Sequence, residues 1–249
     1  MSGEHTNAGT EKAGILIKTT LVDFPGTVAC AFFLRGCNLR CPYCYNTELV
    51  SAGGTEDGFI TVEQLFSHLE KRKNVLSGLA VSGGEPLLNP RLPEILAYAK
   101  SLGYKTKLDT NGTLPDRLRN IVENTKTHPD FIAMDIKTAP GRYAELYGGK
   151  TFFAEKDAGS LLSKSIGIIA EYPADKREFR TVLVPGLVEE NDLYEISKLL
   201  PKDACWMLAQ FQNGSCLNPS YNEIAPFPDK RLKELEAIAK SLIQNAVLR

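Results

Sequence analysis

The stretch Val28-Ala29-Cys30-Ala31-Phe32-Phe33-Leu34-Arg35-Gly36-Cys37-Asn38-Leu39-Arg40-Cys41-Pro42-Tyr43-Cys44 joins an apolar run directly to a loop with three cysteines. The run 28–34 is rich in strand formers and reads as a β-strand. Similar runs recur at 79–82, 105–109, 131–136, 179–184 and 205–211, with helical patterns between them. Thr61 and Gln64 form a capping box ahead of Leu65, Phe66 and Leu69, while Leu92, Ile95, Leu96 and Ala99 make an apolar stripe that stops near Gly103. Further helices are expected at 159–171, 192–200 and 229–246. Strands alternating with helices imply βαβ units and a parallel sheet, whose right-handed crossovers bring every strand's C-terminal end to one edge. Six such units are fewer than the eight of a closed barrel. The expected fold is therefore α/β, a partial (βα)6 barrel with a parallel sheet, although periodicity alone does not separate it from a doubly wound sheet.

The chain has 249 residues with 43% hydrophobic composition, enough for one sizeable core. Lysine plus arginine number 29 against 30 for aspartate plus glutamate, so no global field favours nucleic acid or an anionic membrane. The first residues, MSGEHTNAGTEK, are polar and resemble no signal peptide, and no later run approaches a membrane span. A cytoplasmic enzyme is expected, with a tail at 1–13 and one domain at 14–249.

Cys37, Cys41 and Cys44 lie at the presumed catalytic edge, and their spacing reads as metal binding in a reducing compartment. Three soft ligands suit an iron-sulfur cluster with one iron left open. A structural zinc site needs a fourth ligand. His5, His68 and His128 are remote in sequence, and completion by Cys205 or Cys216 stays open at this stage. Cys30, Cys205 and Cys216 otherwise read as structural. A catalytic cluster and a non-catalytic iron-sulfur or zinc binding module are thus the two classes on the table.

Later strand ends carry polar groups. Gly83 and Gly84 permit close backbone approach to a ligand, and Glu85 can accept from a cationic amine. Asp109, Thr110 and Asn111 end the third strand, Asp135, Ile136 and Lys137 end the fourth, and Gln210 ends the sixth. Arg180 opens the fifth and suits a carboxylate.

Cys-x3-Cys-x-Tyr-Cys, with Tyr43 as the aromatic, resembles the signature of the radical S-adenosylmethionine (SAM) superfamily. The resemblance implies a [4Fe-4S] cluster on Cys37, Cys41 and Cys44 whose open iron chelates the methionyl group of SAM, and reductive cleavage to methionine and a 5′-deoxyadenosyl radical. It also implies Tyr43 beside the adenine, with Tyr45 next to it, and the methionyl amino group on Gly83-Gly84-Glu85. The segments 108–112 and 134–137 resemble the DTNG and D-x-K motifs of glycyl-radical-enzyme activases. That likeness implies a monovalent cation near Asp109, Thr110 and Asp135, with Asn111, Asp135, Ile136 and Lys137 lining the cofactor pocket. Residues 180–186 are similar to the R-x-V-x-V-P-G strand of those activases, which puts Arg180 on the methionyl carboxylate.

The opening 14–26, with Leu21-Val22-Asp23-Phe24-Pro25-Gly26, and the segment 46–50 are similar to anaerobic ribonucleoside-triphosphate reductase activating proteins. Tyr45 departs from the histidine many activases carry after the last cysteine. The resemblance implies a glycyl-radical enzyme as partner, anaerobic ribonucleotide reductase above all, a flavodoxin or ferredoxin-type electron donor, and neither nucleic acid nor membrane. The interval 50–61 is too short for an accessory cluster. The enzymatic alternative is a small-molecule radical enzyme such as a carboxy-deazaguanine synthase.

Overall fold

The computed structural model describes residues 11–50, 57–147 and 157–249. Its strands, in chain order, are β1 (Gly14–Thr20), β2 (Ala29–Leu34), β3 (Phe59–Ile60), β4 (Gly78–Gly83), β5 (Lys105–Thr110), β6 (Phe131–Asp135), β7 (Arg177–Leu183), β8 (Trp206–Gln210) and β9 (Ala246–Leu248). They form one sheet in the order β3-β1-β2-β4-β5-β6-β7-β8-β9, which does not close on itself. From β2 to β9 every neighbouring pair is parallel, and β1 runs antiparallel to β2 and β3. The six expected strands are β2 and β4 to β8, so the partial barrel stands with one more parallel strand and an antiparallel ribbon at its start.

Two physical reasons explain the extra strands. In β1 the residues Ile17, Lys18 and Thr19 are exposed, so no clean alternation marks it. At the C-terminus the expected helix 229–246 stops at Leu242, where Ile243 turns extended (φ −133, ψ 108). The buried Ile243 side chain then lets Ala246–Leu248 pair with β8, in a run too short to signal a strand by pattern.

Alternation along the strands separates two environments. Phe32, Leu34, Leu79, Val81, Leu108, Ile132, Phe179 and Leu208 point outward into one continuous core. The helices α1 (Val62–Arg72) and α2 (Leu92–Ser101) cover it with Val62, Leu65, Leu69, Leu92, Ile95, Leu96 and Ala99. The capping box that starts α1 is formed: Gln64 N donates to Thr61 Oγ1 at 3.3 Å, and Thr61 N donates to Gln64 Oε1 at 2.9 Å. The opposite, concave face carries Ala29, Ala31 and Phe33 on β2, and by register Ala80 and Ser82, Lys107 and Asp109, Ala133 and Asp135, Glu178 and Arg180 on the strands that follow. Small residues at its lower end leave room for a plug. Phe24, from the connection after β1, packs with Ala29, Phe131 and Ala133 in a separate apolar cluster, its ring 6.2 Å from that of Phe131. A side chain at Gly78 would meet Phe24 Cδ1 at 2.9 Å, so that position must stay bare. The Asp-Phe-Pro-Gly string thus stoppers the end of the concave face opposite the cysteines. No helix among the described residues is long and apolar enough to cross a membrane.

The plug yields a stability prediction. Phe24→Ala should lose about 3–5 kcal/mol in chemical denaturation, the cost of emptying a buried aromatic site. Val22→Ala next to it, with Val22 84% exposed, should change stability by less than about 0.5 kcal/mol.

Candidate active site

Beyond β2 the cysteine loop is tied down from several directions. Gly36 turns with φ +96 and its N–H donates to Leu49 O at 2.8 Å, while Arg40 N donates to Leu146 O at 2.6 Å. The Arg40 guanidinium folds back onto the carbonyls of Cys37 and Leu39 at 2.7 and 2.8 Å. A returning segment after β8 seals the other side, Leu217 N donating to Cys44 O at 2.8 Å and Asn218 N to Pro42 O at 2.9 Å. Asn38 donates to Thr113 Oγ1 at 2.7 Å and accepts from the Asn111 amide at 2.9 Å, which fastens the loop to the end of β5.

All three cysteines line a cavity of about 330 Å³ on the concave face. Burial pushes the Cys37 thiol up to about 11 and the Cys41 thiol up to about 12. Cys44 is also raised, first by burial, with the neighbouring Cys216 adding to the rise. Thiols buried like this stay protonated unless a metal compensates the thiolate charge, so the donor chemistry fits a soft metal group. No set of three or more His, Cys, Asp or Glu side chains among the described residues closes on a single ion. Cys30 is fully buried, with its thiol 3.9 Å from Gly78 O, and Cys205 lies against the Met207 sulfur at 3.5 Å.

The Gly-Gly pair has a different neighbour from the expected one. A Cβ on Gly83 would strike Leu34 N and O at 2.3 Å, and one on Gly84 would strike Gly36 O at 2.1 Å and Cys37 Cβ at 3.1 Å. These glycines line the cavity, but their bareness is required by the chain's own β2 and cysteine loop. Gly84 N donates to Leu34 O and Glu85 N to Gly36 O. The Glu85 carboxylate, expected to face an amine, is fully buried and accepts from Leu87 N at 3.1 Å, Thr110 Oγ1 at 3.0 Å and Asn111 N at 2.7 Å. It therefore locks the β4 loop to the β5 loop. Burial raises its pKa to about 7 against the pull of those donors.

Asp109, Asp135, Lys137 and Arg180 do converge on the cavity, as do Tyr43, Thr110 and Asn111. Arg180 Nε donates to Asp135 Oδ1 at 2.6 Å, its terminal nitrogens reach Asp109 Oδ2 at 3.2 and 3.3 Å, and Lys137 Nζ donates to Asp135 Oδ2 at 2.9 Å. Burial alone would raise both aspartates, yet Arg180 with Lys107 and Lys137 outweighs it and holds both below the usual carboxylate range. The Tyr43 hydroxyl is buried with no hydrogen-bond partner, the kind of orphan a ligand satisfies. Tyr45, 70% exposed, stands at the cavity rim. Two expected residues face elsewhere. Ile136 is buried in the outer core, and Gln210 is exposed with its amide donating to Phe227 O at 3.0 Å.

At the expected monovalent-cation position the chain supplies cations of its own. Lys107, buried at 2%, places Nζ on Asp109 Oδ1, and the Thr110 hydroxyl is turned to Glu85. Lys107 was legible in principle, since it precedes Asp109 by two residues and so shares its face of β5. Asp23 and Arg249 also line the cavity, brought there by the plug connection and by β9, neither of which local pattern reveals.

Two variants test this arrangement. Gly84→Ala should destabilise the fold by about 1–3 kcal/mol, because the clash is with backbone and cannot relax by side-chain rotation, and should impair iron incorporation. Glu85 has a native pKa above its ordinary 4.5, so the native state holds its proton over a range where the unfolded chain releases it, and its contribution declines as pH rises from 4.5 towards about 7. Relative to Glu85→Gln, wild-type stability should fall over that interval by on the order of 2–3 kcal/mol in apo-protein denaturation. A pH-independent difference would remove the protonated carboxyl from the account.

The sequence matches the Radical SAM superfamily profile over residues 32–195. It is 28% identical to a Methanocaldococcus jannaschii protein named as a glycyl-radical enzyme activating enzyme, over 94% of each chain. A shorter match, 38% identical and covering 47% of this chain and 48% of the relative, is to the pyruvate formate-lyase-activating enzyme of Clostridium pasteurianum. QueE from Escherichia coli shares the fold with a TM-score of 0.55 at 15% identity, covering 95% of this chain and 91% of that one. A profile that spans two thirds of the chain, on a site with three thiols at one wall of an open parallel sheet, identifies the protein as a radical SAM enzyme, a member of the Radical SAM superfamily, whose chemistry implies SAM and a [4Fe-4S] cluster.

Proposed function

We propose that this enzyme activates a glycyl-radical enzyme by abstracting hydrogen from a backbone glycine of its partner, with anaerobic ribonucleotide reductase as the preferred partner and a flavodoxin or ferredoxin-type protein as electron donor. Cys37, Cys41 and Cys44 would hold the cluster, which when bound and reduced would supply the electron for reductive cleavage of SAM. Arg180 and Lys137 would take the methionyl carboxylate, the backbone of Gly83 and Gly84 would border the methionyl group, Tyr43 would offer its unpaired hydroxyl at the adenine side, and Asn111 would close the pocket below the cysteine loop. Residues 14–249 act as one domain and function in the cytoplasm.

One observation carries the choice of a peptide substrate. Phe33, Tyr45 and Asn46 line both the cavity and a neighbouring groove along β1, which Ile15, Ile17 and Leu49 also line. An open, apolar channel beside the cofactor pocket suits an extended protein loop, whereas a small metabolite needs enclosure that buries most of its surface. The near full-length likeness to a protein named for glycyl-radical enzyme activation agrees with this reading.

The test is anaerobic incubation of the reduced holoenzyme and SAM with candidate partners, read by electron paramagnetic resonance. A glycyl radical should appear, and α-deuterated glycine at that position should pass deuterium to 5′-deoxyadenosine. Deuterium transfer from a small metabolite, with none from any glycyl-radical protein, would replace the activase reading by a metabolite one. Ligand assignment is checked separately. Alanine at Cys37, Cys41 or Cys44 should abolish cluster absorbance and SAM cleavage, and Cys216→Ser, despite its place beside Cys44, should retain both.

A further inference from the structure

The concave face contains more cation than its two cofactor-side aspartates need. Each of the four carboxylate oxygens of Asp109 and Asp135 already has a cationic partner from the chain. Lys107 Nζ is on Asp109 Oδ1, Arg180 on Asp109 Oδ2 and Asp135 Oδ1, and Lys137 Nζ on Asp135 Oδ2. Lys107 reaches its partner from below, within the sheet, and is nearly inaccessible to solvent. Thr110 Oγ1, the remaining oxygen expected at a cation, donates to Glu85 Oε1 and accepts from Gly112 N. Lys107, Lys137 and Arg180 outnumber the two aspartates by one positive charge. Glu178 lies 3.7 Å from Arg180 and is itself shared with Arg249 at 3.4 Å. A further metal cation would enter a site that is already neutralised and would have to share each carboxylate oxygen with a cation of the chain, against its repulsion.

We infer that the enzyme seats its cofactor with its own cations. The Lys107 ammonium takes the place of a monovalent metal ion at Asp109, and no alkali cation binds between Asp109 and Asp135. Lys107 is then a positioning residue. By neutralising Asp109 from the floor of the cavity, it leaves Arg180 free to share its guanidinium with the carboxylate of the incoming ligand without stranding a buried aspartate. The same geometry explains why a lysine, costly to bury alone, is tolerated two residues before Asp109.

The inference rests on the cofactor pocket proposed above and not on the identity of the partner, so its test uses SAM alone. Affinity of the holoenzyme for SAM is measured at constant ionic strength in tetramethylammonium, sodium and potassium chloride. The wild type should agree across the three salts within roughly twofold. Lys107→Met should bind SAM roughly tenfold or more weakly in tetramethylammonium, the effect of leaving Asp109 short of a partner, and should recover in sodium or potassium. Lys107→Arg should restore salt-independence, which a merely structural role would not produce. Tightening of wild-type binding by tenfold or more with sodium or potassium would overturn the inference, as would a Lys107→Met variant with unchanged affinity. Should that variant fail to fold, wild-type crystals soaked in thallous acetate decide the matter. No anomalous peak is expected between Asp109 and Asp135, and a peak there overturns the inference. Absence of SAM binding in every salt would overturn the pocket itself, a result distinguishable from failure to activate a partner.

Discussion

Arg180 is the point on which the concave face depends. Its guanidinium joins β5 to β6 through Asp109 and Asp135, and it sits one step along the register from Glu178, which reaches to Arg249 beyond β9. Bringing these charges out of water costs several kcal/mol per ion, and their mutual attraction returns that only when every lone pair is met. A stability argument therefore does not account for the network, since apolar residues of the same volume would do as well. The fold's stability comes from the outward faces of the strands, where Phe32, Leu79, Leu108, Ile132 and Phe179 are fully buried against the helices. On the proposed function, the charges on the other face are preorganised partners for a cationic and carboxylate-bearing ligand.

The cysteine loop relies on a contact of a different kind. Gly84 lies so close to Gly36 and Cys37 that no side chain fits between them, and the hydrogen bonds Gly84 N to Leu34 O and Glu85 N to Gly36 O fix the approach. Glu85 then passes the constraint to Thr110 and Asn111, and Asn111 returns it to the cysteine loop through Asn38. The circuit runs from cysteine loop to β4 loop to β5 loop and back. Each loop in isolation would be a mobile surface turn, and closing the circuit is what holds three thiols at one wall of a cavity.

This circuit also shows what a sequence can reveal about such a site. The cysteines were legible because they follow directly on an apolar strand, and the aspartates and Arg180 because each lies on a strand whose alternation fixes its face. The glycines were legible as residues but not in their purpose, because the atoms they avoid belong to Leu34 and Gly36, nearly fifty residues earlier. Glu85 looked like a ligand group because its chemistry is polar, yet only three-dimensional closure shows three protein donors on it. Gln210 failed for a related reason. It ends a strand as expected, but β8 lies near the sheet's edge and the side chain turns to Phe227. Elements with weak pattern, such as the ribbon β1 and the short β9, are held by pairing with neighbours and by Ile243, which are long-range effects that no local window contains.

The two buried circuits meet at the cofactor cavity from opposite sides. Below are fixed charges, paired among themselves and ready to be shared. Above are three thiols whose pKa values burial has raised, so that they are poor thiolates until a metal arrives. Metal binding is thereby coupled to the release of protons and to the order of the loop. Lys137 belongs to both sides, since its ammonium bonds Asp135 and at the same time favours the thiolate forms of Cys37, Cys41 and Cys44. Its backbone N–H donates to the Tyr143 hydroxyl at 3.0 Å, which fixes the main chain from which the side chain projects. A single lysine thus carries electrostatic information between the cluster loop and the cofactor floor, and the alternation that placed Asp135 inside and Ile136 outside is what directs it there.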